Sequence, residues 1–245
     1  MDITKKVDFI KSWIEKYVDS MPIKAKSLVI GISGGIDSSV SSTLSAMTGM
    51  RTIVLTMPIK QIQNQHDLSI MHQKWLVKNF KNVEAYTISL DKLFDTFSST
   101  LNKFDNEHGF ANSRARLRMT TLYQVAAANK GIVVGTGNKV EDFGVGFYTK
   151  YGDGGVDISP IADCNKTEVW ELGKELGILK EIIDAPPTDG LWDDGRTDEG
   201  QLGFKYSELE DAMGNPNSPH RGQYEKIRNQ NLHKMEPIPV CKIPS

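Results

Sequence analysis

One stretch near the start of the chain does most to restrict its fold. Leu28-Val29-Ile30-Gly31-Ile32, apolar almost throughout, runs straight into Ser33-Gly34-Gly35-Ile36-Asp37-Ser38-Ser39. A short unbroken apolar run reads as a strand covered on both faces, the usual state of a parallel strand. The two glycines let the backbone approach a ligand closely, and the residues after them open a helix that runs to about Met47, with Gly49 past its end. Strand, glycine turn and helix in direct succession make a cradle for a polyphosphate. The first N–H groups of the helix and the positive end of its dipole face one point at the carboxyl edge of the sheet. Asp37 among phosphates would repel them unless a hard cation lay between, which points to Mg2+. The stretch lacks the Gly-Lys-Ser/Thr ending of a Walker A loop, and it is not a GxGxxG turn.

The rest of the chain repeats this alternation. Val7, Ile10, Trp13, Ile14, Tyr17 and Val18 recur at helical spacing, and Pro22 ends that first helix. The spacing predicts strands over 52–57, 83–88 and 132–134, with helices over 64–80 and 112–130. In the second of these helices Ala115, Met119, Leu122, Val125 and Ala126 form the apolar stripe, Asn112 is the cap and Gly131 the stop. The expected class is therefore α/β, a doubly wound parallel sheet flanked by helices on both faces. No linker divides residues 1–245 into two cores, so one domain is expected.

Past Gly135 the texture changes. Residues 143–156 hold five glycines, with Lys150 and Asp153 among them, and read as a long functional loop. Asn165-Lys166-Thr167-Glu168 has the spacing of a capping box and opens a helix that closes at Gly177. Residues 185–203, rich in Pro, Gly and Asp, read as irregular. A short helix from Tyr206 and a last one ending near His233 follow.

Composition excludes some classes of function. Lys and Arg number 29 against 31 for Asp and Glu, a net charge of -2, which argues against a chain whose main task is to coat nucleic acid. No apolar run is long enough to span a membrane, and the N-terminus lacks the apolar core of a signal peptide, so the cytoplasm is the expected compartment. The cysteines, Cys164 and Cys241, form no CxxC, and neither reads as a nucleophile.

The 33–38 loop resembles the Ser-Gly-Gly-x-Asp-Ser signature of the ATP-pyrophosphatase (PP-loop) family. Members cleave ATP between the α- and β-phosphates and transfer AMP to a carboxylate or amide oxygen. The loop alone does not separate GMP synthetases, tRNA thiolases, asparagine and argininosuccinate synthetases, and NAD synthetases. Further segments do. Asn112-Ser113-Arg114-Ala115-Arg116-Leu117-Arg118-Met119, Gly135-Thr136-Gly137-Asn138-Lys139-Val140-Glu141 and Thr149-Lys150-Tyr151-Gly152-Asp153-Gly154-Gly155-Val156-Asp157 are similar to the ammonia-dependent NAD synthetases. So are Asn165-Lys166-Thr167, Pro187-Thr188-Asp189-Gly190-Leu191, Thr197-Asp198-Glu199 and His233-Lys234, and the resemblance covers residues 31–234.

That resemblance implies an adenine nucleotide alpha hydrolase-like fold and amidation of deamido-NAD by ammonia through an acyl-adenylate, with release of AMP and pyrophosphate. It places ATP on Gly31, Ile32, Ser33, Gly34, Gly35, Ile36, Asp37, Ser38, Thr136, Lys166 and Thr188, and Mg2+ on Asp37 and Glu141. It places deamido-NAD on Arg116, Lys150, Asp157, His233 and Lys234, and it implies a homodimer. Asp37 and Lys166 would carry the chemistry, with Asp153 a candidate base for ammonia. A glutamine-hydrolysing unit is not expected, since the chain shows neither the cysteine nor the length for one. Residues 143–156 are expected to be mobile and to close over both substrates.

Without the resemblance, several of these residues have plain readings. Arg116 is one of three arginines along a helix, Glu141 a carboxylate after a strand, and His233 a cation at a helix end. Lys166 is odder, because a cation in the first turn of a helix is unfavourable unless an anion meets it. Asp193 and Asp194 read as solvated loop residues. Two rival classes stay open on the residues alone: another PP-loop enzyme, and a nucleotide-binding module without catalysis.

Overall fold

The computed structural model describes residues 1–61, 63–188 and 197–243. At its centre stands β1 (Ser27–Gly31), paired in parallel with β2 (Thr52–Thr56) on one side and β4 (Gly131–Val133) on the other. β3 (Val83–Thr87) pairs in parallel with β2, giving the strand order β3-β2-β1-β4. A parallel bridge between Val134 and Ile158 continues the sheet beyond β4.

Side chains alternate across a strand, and here both faces are covered. Leu28, Ile30 and Ile32 enter one core with Val54 and Ile132, while Val29 enters another with Ile53, Leu55 and Val133. The first core is closed by α1 (Ile3–Ser20), α2 (Ile36–Met47), α3 (Gln63–Asn79), α6 (Lys166–Glu175) and α7 (Lys180–Ile183). The second is closed by α4 (Asp91–Thr100) and α5 (Glu107–Ala128). The chain thus winds from β1 to β3 over one face and returns to β4 over the other. The reversal falls between β1 and β4, where doubly wound sheets leave a crevice at their carboxyl ends. A third cluster joins α8 (Asp198–Leu202), α9 (Tyr206–Gly214) and α10 (Arg221–Met235) to the segment after β4, through Val140, Val145, Leu209 and Tyr224.

The doubly wound parallel sheet agrees with the sequence reading, and three local readings need correction. The helix expected to start at Asn112 starts at Glu107, because Asn106 caps it, its side chain accepting from Gly109 N at 2.7 Å. Asn112 instead accepts from the Thr149 hydroxyl at 2.6 Å. The glycine-rich segment begins as a wide helical turn, Lys139–Val145, whose cap Asn138 accepts from Val140 N and Glu141 N; Gly146, at φ 68, ends it. Within 185–203, expected to be irregular, Thr197 caps α8. α4 lies in a stretch for which the sequence reading predicts no element. Asp189, Gly190, Leu191, Asp193 and Asp194 lie outside the described residues. The apolar stripe of α1 (Val7, Ile10, Ile14, Val18) is spent on the first core, leaving Phe9, Trp13 and Tyr17 exposed.

Candidate active site

The crevice at the strand reversal is a cavity of about 260 Å³. Every residue given above to ATP lines it: Gly31 and Ile32 at the end of β1, Ser33 to Ser38 in the turn, Thr136 past β4, Lys166, and Thr188. Gly34 has φ 93, a conformation that favours glycine, and it turns the chain sharply into α2. The serines fasten the turn. Ser33 Oγ and Ser38 Oγ lie 3.1 Å apart, Gly35 N donates to Ser33 Oγ, and the Ser38 and Ser39 hydroxyls donate to Gly35 O.

Lys166 sits at the charged end of the cavity, only 1% exposed. Its ammonium donates to Asp37 Oδ2 at 2.5 Å and to Glu141 Oε1 at 2.8 Å. These are the anions its position in the first turn of α6 calls for. Three segments far apart in sequence meet here: α2 brings Asp37, the turn after β4 brings Glu141, and α6 brings Lys166. Asn138 ties two of them, Nδ2 donating to Asp37 Oδ1 at 3.0 Å. Burial opposes the charge on Lys166, but Asp37 and Glu141 outweigh it and raise its pKa. One cation serves two carboxylates, so the two respond differently. In Glu141 burial is overcome by Lys166 and by donors from Lys166, Tyr206 and Asn138, and its pKa falls. In Asp37 burial wins, with repulsion from Glu141, and the pKa rises.

Three further carboxylates line the cavity, Asp142, Asp153 and Asp198. Burial, then Asp153, Glu141 and Asp37, push Asp142 well above the usual carboxylate range. Its carboxylate lies against Gly137, where a Cβ would come within 1.9 Å of Oδ2. Asp153 is exposed and accepts from Thr149 N at 3.0 Å. Met57 and Leu122 pack over Gly31 and give the cavity an apolar wall.

The five residues given to the second substrate are not among those lining this cavity. Arg116 and His233 are exposed and meet through Lys150: Arg116 Nη2 reaches Lys150 O at 3.3 Å, and Lys150 Nζ donates to His233 O at 2.7 Å. Lys234 is engaged by backbone, donating to Gly146 O at 2.8 Å and Tyr148 O at 2.9 Å. Asp157 accepts from Val133 N at 2.7 Å and from the Tyr123 hydroxyl at 3.1 Å, and burial with Asp157 pushes Tyr123 up to about 12. α10 holds the glycine-rich segment at other points too. Arg228 donates to Phe143 O and Gly144 O, and Asn231 Nδ2 to Val145 O at 3.0 Å.

The sequence profile of the family described as NAD synthase matches residues 6–242. This chain belongs to the NAD synthase family. Among its relatives, this NAD synthase family member is 36% identical over 236 residues to the NH(3)-dependent NAD(+) synthetase of Finegoldia magna, covering 96% of this chain and 94% of that one. The solved NMN synthetase of Francisella tularensis superposes with a TM-score of 0.91 at 33% identity, covering 99% and 100% of the two chains. The NH3-dependent NAD synthetase of Campylobacter jejuni, solved with a nitrate ion, shares the fold with a TM-score of 0.79 at 24% identity and the same coverage.

For this NAD synthase family member, sequence reasoning passed over three residues of the charged end. Asn138 and Asp198 lie inside the family-like segments, whose resemblance gives them no role, and Tyr206 reads in the sequence only as a helix start. Tyr206 is 2% exposed and donates to Glu141 Oε1 at 2.5 Å; Asp198 Oδ2 lies 3.2 Å from the same hydroxyl. Arg118 and Gln61 also line the cavity. Only Asn138 carried a usable signal, as an Asx cap two residues before the Val140 amide that it accepts.

Proposed function

We propose that this chain joins ammonia to the nicotinate carboxylate of deamido-NAD at the expense of ATP, giving NAD, AMP and pyrophosphate. The observation that carries this reading is the buried Lys166 between Asp37 and Glu141, set at the mouth of the 33–38 turn. A carboxylate is a poor acyl donor because its leaving group would be oxide, and transfer of AMP supplies a better one. The carboxylate attacks the α-phosphorus, pyrophosphate departs, and ammonia then displaces AMP. The protein's part in the first step is placement and charge neutralisation. Lys166 and the turn at the start of α2 meet the departing pyrophosphate, while the Met57 and Leu122 wall suits the adenine ring.

Asp37 and Glu141 suit Mg2+. Among the described residues no group of three or more His, Cys, Asp or Glu could hold a metal ion, but Mg2+ commonly takes one or two carboxylates and completes its shell with phosphates and water. Held there, it would neutralise charge on the β- and γ-phosphates. Asp153, facing the cavity, remains the candidate to accept a proton from ammonium. Ammonia as the nitrogen source agrees with Cys164, which is buried and whose thiol burial pushes up to about 11, far from a nucleophile. The reading includes one domain, a homodimer and a cytoplasmic setting. Among the described residues no helix is long and apolar enough to cross a membrane.

A second reading changes only the acceptor. The near end-to-end superposition on a protein named NMN synthetase favours nicotinic acid mononucleotide as the carboxylate. One experiment tests both: purified chain, ATP, Mg2+ and ammonium, with either acceptor, reading AMP, pyrophosphate and amide. Deamido-NAD is expected to turn over with ammonium and not with glutamine in ammonia-free buffer. Preference for the mononucleotide selects the second reading, and no AMP with either acceptor refutes both.

A further inference from the structure

Tyr206 has no part in that reading, yet it is among the largest fully buried side chains. It opens α9, and its ring meets the Trp170 ring edge-on, with centroids 5.8 Å apart and planes at 84°. Lys166 Nζ stands 4.9 Å from the centroid of the same ring. The hydroxyl lies 2.5 Å from Glu141 Oε1 and 3.2 Å from Asp198 Oδ2. A phenol has one proton, and the nearer carboxylate takes it. Glu141 Oε1 is also the oxygen that receives Lys166.

A polyphosphate entering between the 33–38 turn and Lys166 upsets this arrangement. Lys166 is drawn to the phosphates, and Glu141, released by it, must stay aimed at the cation it would share with Asp37. A carboxylate released by its lysine is free to rotate unless a fixed donor holds one of its oxygens. We infer that Tyr206 is the positioning residue that keeps Glu141 at the phosphate end of the cavity when Lys166 turns to the nucleotide. The rigid seat against Trp170 is what allows a hydroxyl to do this, since the ring has no room to follow a moving carboxylate. The inference rests on the ATP-dependent reading given above.

The test is Tyr206→Phe in the full chain, which removes the hydroxyl and keeps the ring. The lost bond is to a charged group whose alternative partner leaves only in the loaded site, so kcat is expected to fall about tenfold to a hundredfold. ATP affinity by calorimetry should stay within about threefold of the parent, because the 33–38 turn and Lys166, which the variant leaves in place, meet the phosphates. A kcat loss of less than about fivefold overturns the inference, as does an equal loss in kcat and ATP affinity, the mark of a merely structural residue. If the variant melts more than about 10 °C early, the same kinetics at low temperature, below its transition, carry the reading. The parent runs alongside. A parent that releases no AMP refutes the ATP-dependent reading and this inference with it, whereas an active parent with an unimpaired variant refutes the role of Tyr206 alone.

Discussion

Replacing Lys166 by Met keeps most of the volume and removes the charge between two carboxylates. The side chain is 2% exposed, and Asp37 and Glu141 are 17% and 16% exposed, so solvent screens the loss little. Breaking a buried ion pair from one side costs about 3–5 kcal/mol, because the stranded charge remains. Here two charges are stranded and face each other. For a chain of this size about 1 kcal/mol moves the melting temperature by roughly 2–4 °C, so Lys166→Met is expected to melt roughly 6–20 °C below the parent at pH 8. The deficit should shrink in acid. With the ammonium gone, both carboxylates sit above their unfolded pKa, and the folded state then binds protons more tightly than the unfolded chain. Stability of the variant relative to the parent therefore rises as pH falls from 8 toward 5. Adding Asp37→Asn to Lys166→Met removes one of the repelling charges and should recover part of the loss at pH 8. Melting curves followed by circular dichroism, parent and variants at both pH values, give the answer. A deficit below about 2 °C at pH 8, or one that is the same at pH 5, would show that Lys166 is not the counter-charge on which this end of the cavity depends.

Two further outcomes follow from other parts of the structure. His72 is fully buried, with Nε2 3.0 Å from Ser42 Oγ, and burial lowers its pKa to about 4. Between about pH 6.5 and 4 the unfolded chain binds the extra proton, so stability should fall with acid by up to roughly 3 kcal/mol. Urea unfolding at pH 7 and pH 5 checks this: His72→Phe should flatten the slope, and an unchanged slope would clear His72. Arg228→Ala with Asn231→Ala removes donors to the carbonyls of Phe143, Gly144 and Val145, and amide exchange over 143–148 should quicken by about tenfold while β1 and β2 are unaffected. Equal exchange in parent and variant would mean that α10 does not hold this segment.

What could be read in the sequence was what is decided locally. β1, the 33–38 turn and α2 follow one another without a gap, so apolar run, glycines and helix start announce a phosphate cradle on their own. Lys166 was legible as an anomaly, a cation where a helix dipole disfavours one, and the structure supplies the two carboxylates that resolve it. Tyr206 offered no such tension. A buried aromatic at the start of a helix is what any core requires, and its contact with Glu141 spans 65 residues. α4 did carry a signal, Leu90, Phe94 and Phe97 at helical spacing, with Leu90 and Phe94 buried in the second core. The wide turn at Lys139–Val145 announces only its cap, Asn138; its course depends on Arg228 and Asn231, which arrive from α10 to fix its carbonyls.

The same distinction separates the two halves of the reaction. The nucleotide half is built around one continuous segment, and the residues expected there converge on one cavity. The residues proposed for the acceptor half come from α5, the stretch after β4 and α10, and they divide. Lys234 and Asp157 bond to backbone and shape the segment itself. Arg116 and Lys150 meet at the surface, and among the described residues neither forms an ion pair. Unneutralised cations at one place suit a phosphate, and deamido-NAD and nicotinic acid mononucleotide both bring one, together with the same nicotinate carboxylate. On the proposed assignment these residues do not distinguish the two acceptors. The choice must fall on whatever meets the adenylyl half that only the dinucleotide carries. On the proposed homodimer, with the second copy beside that surface, the oligomeric state and the acceptor preference are expected to change together. An obligate monomer that still prefers the dinucleotide would break that link.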